Sequence, residues 1–149
     1  MQQKLVFHSK QVVGFSPRGY ERDFESRMLV DAESVGSQRL VMNFFMLKPG
    51  KSTYPGDHPA PFDEIYYILR GQGVVYLGQE HEPFDLVADT VVFIPHGTTH
   101  SLTNTGTGDL EMITVMPGPL AVGVNKLYDE RKVTWGTSFR LLDGQSDPS

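Results

Sequence analysis

Apolar residues in this chain come in short runs, and glycine and proline cut the runs off. Segments 40–47, 64–69, 74–77, 90–94, 100–103 and 111–116 are rich in Val, Ile, Phe, Tyr, Thr or Met. Those residue types suit a pleated, half-buried surface. Between the segments lie Lys48-Pro49-Gly50, Arg70-Gly71-Gln72-Gly73, Pro95-His96-Gly97 and Asn104-Thr105-Gly106-Thr107-Gly108, which read as turns. No window carries a long apolar repeat of helical period, and one short helix is predicted over 125–131. The pattern predicts an all-β chain, a sandwich or small barrel of antiparallel strands.

The first 38 residues are more polar and less regular. Ser16-Pro17-Arg18-Gly19-Tyr20 reads as a turn and 21–30 is mixed. No linker splits the chain, which divides into an N-terminal extension (1–38), a central barrel (39–120) and a C-terminal segment (121–149) whose last six residues form a frayed tail. Segment 40–47 is apolar on both faces, with Met42, Phe44 and Met46 on one side and Phe45 and Leu47 on the other. A small barrel needs only its inner face apolar. The surplus face must be covered by the N-terminal extension or by a second copy of the chain. A homodimer is the expectation, with 133–139 as a participant.

Composition narrows the function. The chain has 149 residues, enough for a core without staples, and no cysteine. Disulfides, thiolate metal sites and cysteine nucleophiles are thereby excluded. A net charge of −5 with 13 scattered basic residues speaks against a nucleic-acid partner. The apolar stretch Val91-Val92-Phe93-Ile94 is far too short to span a membrane, and residues 1–7 lack the apolar core of a secretory signal. A cytoplasmic location is the expectation. No dinucleotide fingerprint, phosphate loop or nucleophile elbow occurs. His96 and His100 stand four apart, but Gly97-Thr98-Thr99 between them suits no helix, so a helical zinc pair is rejected.

Chemistry concentrates around one carboxylate. Strand side chains alternate, so Glu64, Tyr66 and Ile68 share one face and Ile65, Tyr67 and Leu69 the other. A carboxylate in so apolar a strand must be paired, hydrogen-bonded or bound to a cation. His100, Leu102 and Asn104 share a face of a later strand, and His58 lies six residues before Glu64. If the sheet curls into a barrel, His58, Glu64 and His100 can converge as two imidazoles and one carboxylate. That set suits Fe(II) or a similar divalent ion with open coordination positions.

The segment Pro95-His96-Gly97-Thr98-Thr99-His100-Ser101-Leu102-Thr103-Asn104 resembles the second cupin motif, P-x-G-x2-H-x3-N, at every defined position. The preceding Ala88-Asp89-Thr90 resembles its Gly-Asp lead-in, with Asp89 in the glycine place. Gly50, His58, Glu64 and Gly71 resemble the first motif, G-x5-H-x-H-x3,4-E-x6-G, with two departures. The Gly50-to-His58 gap is two residues too long, and Ala60 holds the second histidine position. The resemblance covers residues 40 to 117 and implies a double-stranded β-barrel, the cupin jelly roll, holding one divalent metal (Fe, Mn, Zn or Ni). Its ligands here would be His58, Glu64 and His100. Three outcomes stay open: a three-ligand site with a free position, Asp57 as an added oxygen donor, or a pocket that has lost its metal. The resemblance also implies a role for Tyr66 in proton transfer. The implied function is a metal-dependent enzyme acting on a small oxygen-rich or anionic molecule, either an Fe(II) dioxygenase or a metal-assisted lyase or isomerase. The alternative is a non-catalytic small-molecule-binding or sensing cupin.

Overall fold

The computed structural model describes residues 5–17, 23–32, 34–118 and 139–142. The helix expected over 125–131, residues 133–138 and the C-terminal tail lie outside the described residues. Ten strands are formed: β1 (Gly14–Pro17), β2 (Phe24–Val30), β3 (Leu40–Leu47), β4 (Glu64–Arg70), β5 (Gly73–Leu77), β6 (Glu82–Leu86), β7 (Val91–Ile94), β8 (His100–Asn104), β9 (Leu110–Pro117) and β10 (Phe139–Leu142). They make two antiparallel sheets, a large one ordered β10-β1-β2-β3-β9-β4-β7 and a small one ordered β6-β5-β8. Successive strands cross from sheet to sheet at β4–β5, β6–β7, β7–β8 and β8–β9, which is how a jelly roll closes on itself. The β4–β5 crossing is tight. A Cβ at Gly71, which has φ +94, would lie 2.3 Å from the carbonyl oxygen of Asp109. Only glycine fits there.

The core lies between the two sheets. Its fully buried members include Leu47, Ile68, Val75, Leu86, Leu110 and Met112. Register arranges the inner wall of the large sheet in layers. Asn43 pairs with Thr114, Thr114 with Tyr66, and Tyr66 with Val92. One layer further along the strands, Phe45 pairs with Met112 and Met112 with Ile68. The first layer is polar in three of its four members and the next is wholly apolar.

Strands β3, β4, β5, β7, β8 and β9 stand where the apolar pattern predicts them. Four others were hidden. Ser16 and Pro17, expected in a turn, belong to β1, and residues 18–20 lie outside the described residues. In β1 and β2 the inward positions include Ser16 and Ser26, both fully buried and both satisfied. The Ser16 hydroxyl donates to the Phe24 carbonyl, and the Ser26 hydroxyl donates to Asn43 Oδ1 at 2.8 Å. Polar residues facing inward mask an alternation that is there. β6 carries Glu82, Pro83 and Asp85 and buries only Leu86. β10 is short and far away in sequence, and it pairs with β1.

β2 pairs edge to edge with β3, so it lengthens the sheet and does not lie over its outer face. On that face Arg27 places its guanidinium 5.8 Å from the Phe44 ring centroid. Met42, Phe44 and Met46 are half-buried, whereas Ile65, Tyr67, Leu69, Val91 and Phe93 are exposed.

Candidate metal centre

Glu64 opens β4 with its side chain turned into the barrel, and only 7% of that side chain is exposed. His100 opens β8 in the opposite sheet, and its side chain is 10% exposed. His58 belongs to no strand. The loop that carries it is laid along β8 before the residue is reached. Ser52 bridges Thr103, the Thr53 amide donates to the Leu102 carbonyl at 2.9 Å, and Gly56 exchanges two backbone hydrogen bonds with His100. The two extra residues between Gly50 and His58 are accommodated in this pairing. A second clamp follows. The Gly97 amide donates to the His58 carbonyl at 2.7 Å, and Asp63 Oδ1 accepts from the His96 amide at 2.9 Å. The same Asp63 oxygen lies 3.0 Å from His96 Nδ1. These bonds hold the Asp63 carboxyl below its ordinary range, the backbone donor first and the ring second.

The outcome is a meeting of three donors. His58 Nε2 lies 3.0 Å and His100 Nε2 3.4 Å from the same oxygen, Glu64 Oε2. Burial pushes the Glu64 carboxyl up, but hydrogen bonds from His100 and His58 outweigh it and bring its pKa down to about 2. His100 carries a further constraint. Its Nδ1 lies 2.9 Å from the Thr98 carbonyl oxygen, which can only accept, so the Nδ1 proton is fixed there. In a neutral ring Nε2 is then a lone pair facing a carboxylate oxygen. That contact is stable only with a positive charge between the two atoms, either a proton on Nε2 or a metal ion. Without metal the proton takes the role. Burial pushes the His100 pKa down, while Glu64 and the Thr98 carbonyl, with a contribution from the charge of Asp57, push it above its ordinary value.

The donor set fits a divalent ion. Donors about 2.1 Å from one metal at octahedral or tetrahedral angles stand about 3.0–3.4 Å apart, and the two N···O separations are 3.0 and 3.4 Å. All three ligand atoms lie within 4.8 Å of one another. The Thr98 carbonyl on Nδ1 is the outer-shell partner that a metal-ligating imidazole requires. Ala60 is exposed, and Asp57 is exposed and stands outside this group. Tyr66 is buried on the Glu64 face, with its ring centroid 6.1 Å from that of His100 in an edge-to-face arrangement. Tyr67 points outward and donates to Asp89 Oδ1 at 2.7 Å. His96 lies exposed in its turn, and Asn104 closes the β8–β9 turn by donating to the Leu47 and Gly108 carbonyls. Asp63 and Thr98 were not foreseen. One acts through a backbone amide and the other through its own carbonyl, and neither leaves a mark in side-chain spacing.

Residues 43–116 match the family model of the cupin domain. An oxalate-binding protein of Thermotoga maritima is 34% identical over 99 residues, which is 66% of this chain and 79% of that protein. The chain is a cupin. Auxin-binding protein 1 of Arabidopsis thaliana is 30% identical over 78 residues, 48% of this cupin but only 38% of that protein. Among solved structures, a predicted oxalate decarboxylase from Thermotoga maritima aligns with a TM-score of 0.64 and 28% identity, covering 76% of this chain and 98% of that one. The polyketide cyclase RemF from Streptomyces resistomycificus aligns with a TM-score of 0.63 at 22% identity, over 78% and 80% of the two chains. The latter likeness shows the cupin fold alone. No helix among the described residues is long and apolar enough to cross a membrane.

Proposed function

We propose that this cupin holds one divalent metal ion on His58, Glu64 and His100 and uses it to bind and convert a small oxygen-rich or anionic organic molecule. The observation that carries this is the approach of two imidazole nitrogens to one buried carboxylate oxygen, one of them with its lone pair fixed by Thr98. A bound ion would polarise a substrate carboxylate or carbonyl or, as Fe(II), supply redox chemistry with O2. In this reading Tyr66 moves the proton; its ring on the Glu64 wall, 6.1 Å from that of His100, supports the role. A metal-assisted lyase or isomerase is therefore the first reading. The three-donor set, with Ala60 contributing no ligand, supports an Fe(II) dioxygenase as its competitor. Elemental analysis of protein purified without chelator is the direct test. About one equivalent of metal is expected, falling to near zero in His100→Ala, and absence of stoichiometric metal would remove the proposal. Oxygen uptake with candidate substrates separates the two chemistries. Tyr66→Phe should cripple proton transfer and largely spare an oxygenase.

The non-catalytic reading has its own support. Two similar proteins are named for binding, one of oxalate and the other of auxin. Saturable binding of oxalate without turnover would favour it. We also propose a homodimer, since Ile65, Tyr67, Val91 and Phe93 stand together on the uncovered outer face of β4 and β7.

A further inference from the structure

Asn43 is 6% exposed, and the only hydrogen bond of its side chain among the described residues is the one that Oδ1 accepts from Ser26. Nδ2, with two protons to donate, has no partner among the described residues. Its neighbour across the ladder, Thr114, is 8% exposed, and its hydroxyl also has no hydrogen-bond partner among them. A buried amide or hydroxyl left unpaired is costly, so two side by side are in want of a partner. Both belong to the inner layer that contains Tyr66, two residues below Glu64 on β4. The next layer along the strands, Phe45, Met112 and Ile68, is wholly apolar, and Met112 and Ile68 are fully buried. Asn43 and Thr114 therefore stand on a floor of apolar side chains, about 7 Å along the strands from the Glu64 layer.

We infer that Asn43 and Thr114 bind a neutral oxygen, a carbonyl or hydroxyl, of a small carboxylate whose anionic end lies at the His58–Glu64–His100 centre. This rests on the metal-centred reading above and names the substrate class. Two details fix the choice. No lysine, arginine or histidine belongs to the layer of Asn43, Thr114, Tyr66 and Val92, and His100, whose ring lies 6.1 Å from that of Tyr66, is committed to the metal centre, so a second carboxylate buried there would be uncompensated. The amide protons of Asn43 need an acceptor, which a hydrocarbon chain does not provide. The ligand is thus an oxo- or hydroxy-carboxylate with its second oxygen several bonds from the first, in preference to a dicarboxylate or a fatty acid.

Zinc-loaded protein titrated calorimetrically with 4-oxopentanoate, pentanoate and succinate tests this. One neutral hydrogen bond corresponds to about a tenfold change in affinity. 4-Oxopentanoate should bind about tenfold tighter than pentanoate and more tightly than succinate. Asn43→Leu should bring it level with pentanoate, with zinc still bound one to one. Thr114→Val is nearly isosteric and should reduce the preference severalfold, and it decides the matter if Asn43→Leu does not fold. Equal affinities for 4-oxopentanoate and pentanoate, tightest binding of succinate, or no binding of any of the three would overturn the inference. So would a preference that survives in the folded variants with zinc in place. A protein that takes up no zinc loses both this inference and the metal site, whereas zinc uptake with an unaltered preference sinks the inference alone.

Discussion

At the scale of single residues, the carbonyl of Thr98 determines what His100 can be. With Nδ1 held as a donor, the ring meets Glu64 either as an imidazolium or through a metal ion, and the two states respond oppositely to pH. In chelator-treated protein the His100 pKa is raised by folding. Its stabilising contribution is full below the ordinary histidine range and disappears as pH rises through the raised value. Glu64 is lowered to about 2, so its contribution is present above the ordinary carboxylate range and is lost only in strong acid. Metal-free protein should therefore be more stable in urea near about pH 5.5 than near about pH 9. Metal must displace the His100 proton, so the stabilisation gained from added metal should grow over the same interval. Urea midpoints that are flat with pH, in both forms, would contradict this. Asp89 shows a different residue-scale constraint. It occupies the glycine place of the motif and has φ 68, a left-handed conformation that aspartate tolerates. Its carboxylate accepts the Tyr67 hydroxyl, and that bond raises the Tyr67 pKa. Asp89→Val puts a β-branched residue at that φ and should cost about 1–2 kcal/mol in chemical denaturation.

At the scale of elements, the site depends on strand β4 and on the loop along β8. β4 alternates without a break: Glu64, Tyr66 and Ile68 are buried while Ile65, Tyr67 and Leu69 are exposed. One strand thus supplies a candidate metal donor, a buried phenol and a core anchor at successive inward positions. Ile68 has no exposed surface, and Ile68→Ala should destabilise the protein by about 2–5 kcal/mol. Its pocket residues stay in place, so metal affinity in the folded fraction should fall far less than in His100→Ala. This scale also explains what could be read in advance. Period-two alternation gives the inward face of β4 and β8 directly, so Glu64, Tyr66 and His100 were legible from sequence. The convergence of His58 was readable from the residues only on the condition that the sheet closes, and the family resemblance supplied that closure, because its position is set by loop 51–56 bonding to the β8 backbone. Asn43 and Thr114 were not legible at all. Their importance lies in which strand pairs with which, and no local pattern encodes the partners of β9.

At the scale of the whole molecule, the two sheets have unequal outsides. The large sheet presents Ile65, Tyr67, Val91 and Phe93 together, paired across β4 and β7 as Ile65 with Phe93 and Tyr67 with Val91. An apolar patch of adjacent large side chains is unusual on a surface that stays wet. Sedimentation at micromolar concentration should report a dimer, and Phe93→Asp should return a monomer with its metal content intact. A monomeric parent protein would remove the idea. The small sheet differs at its margin. β6 ends that sheet as Glu82-Pro83-Phe84-Asp85-Leu86, with one residue that has no amide proton to offer and two acids that repel a copy of themselves. Growth by strand addition is blocked there, so self-association can stop at two copies and need not run on into filaments. Exchanging Pro83 and Asp85 for valine would remove that stop, and light scattering would then follow an open-ended polymer.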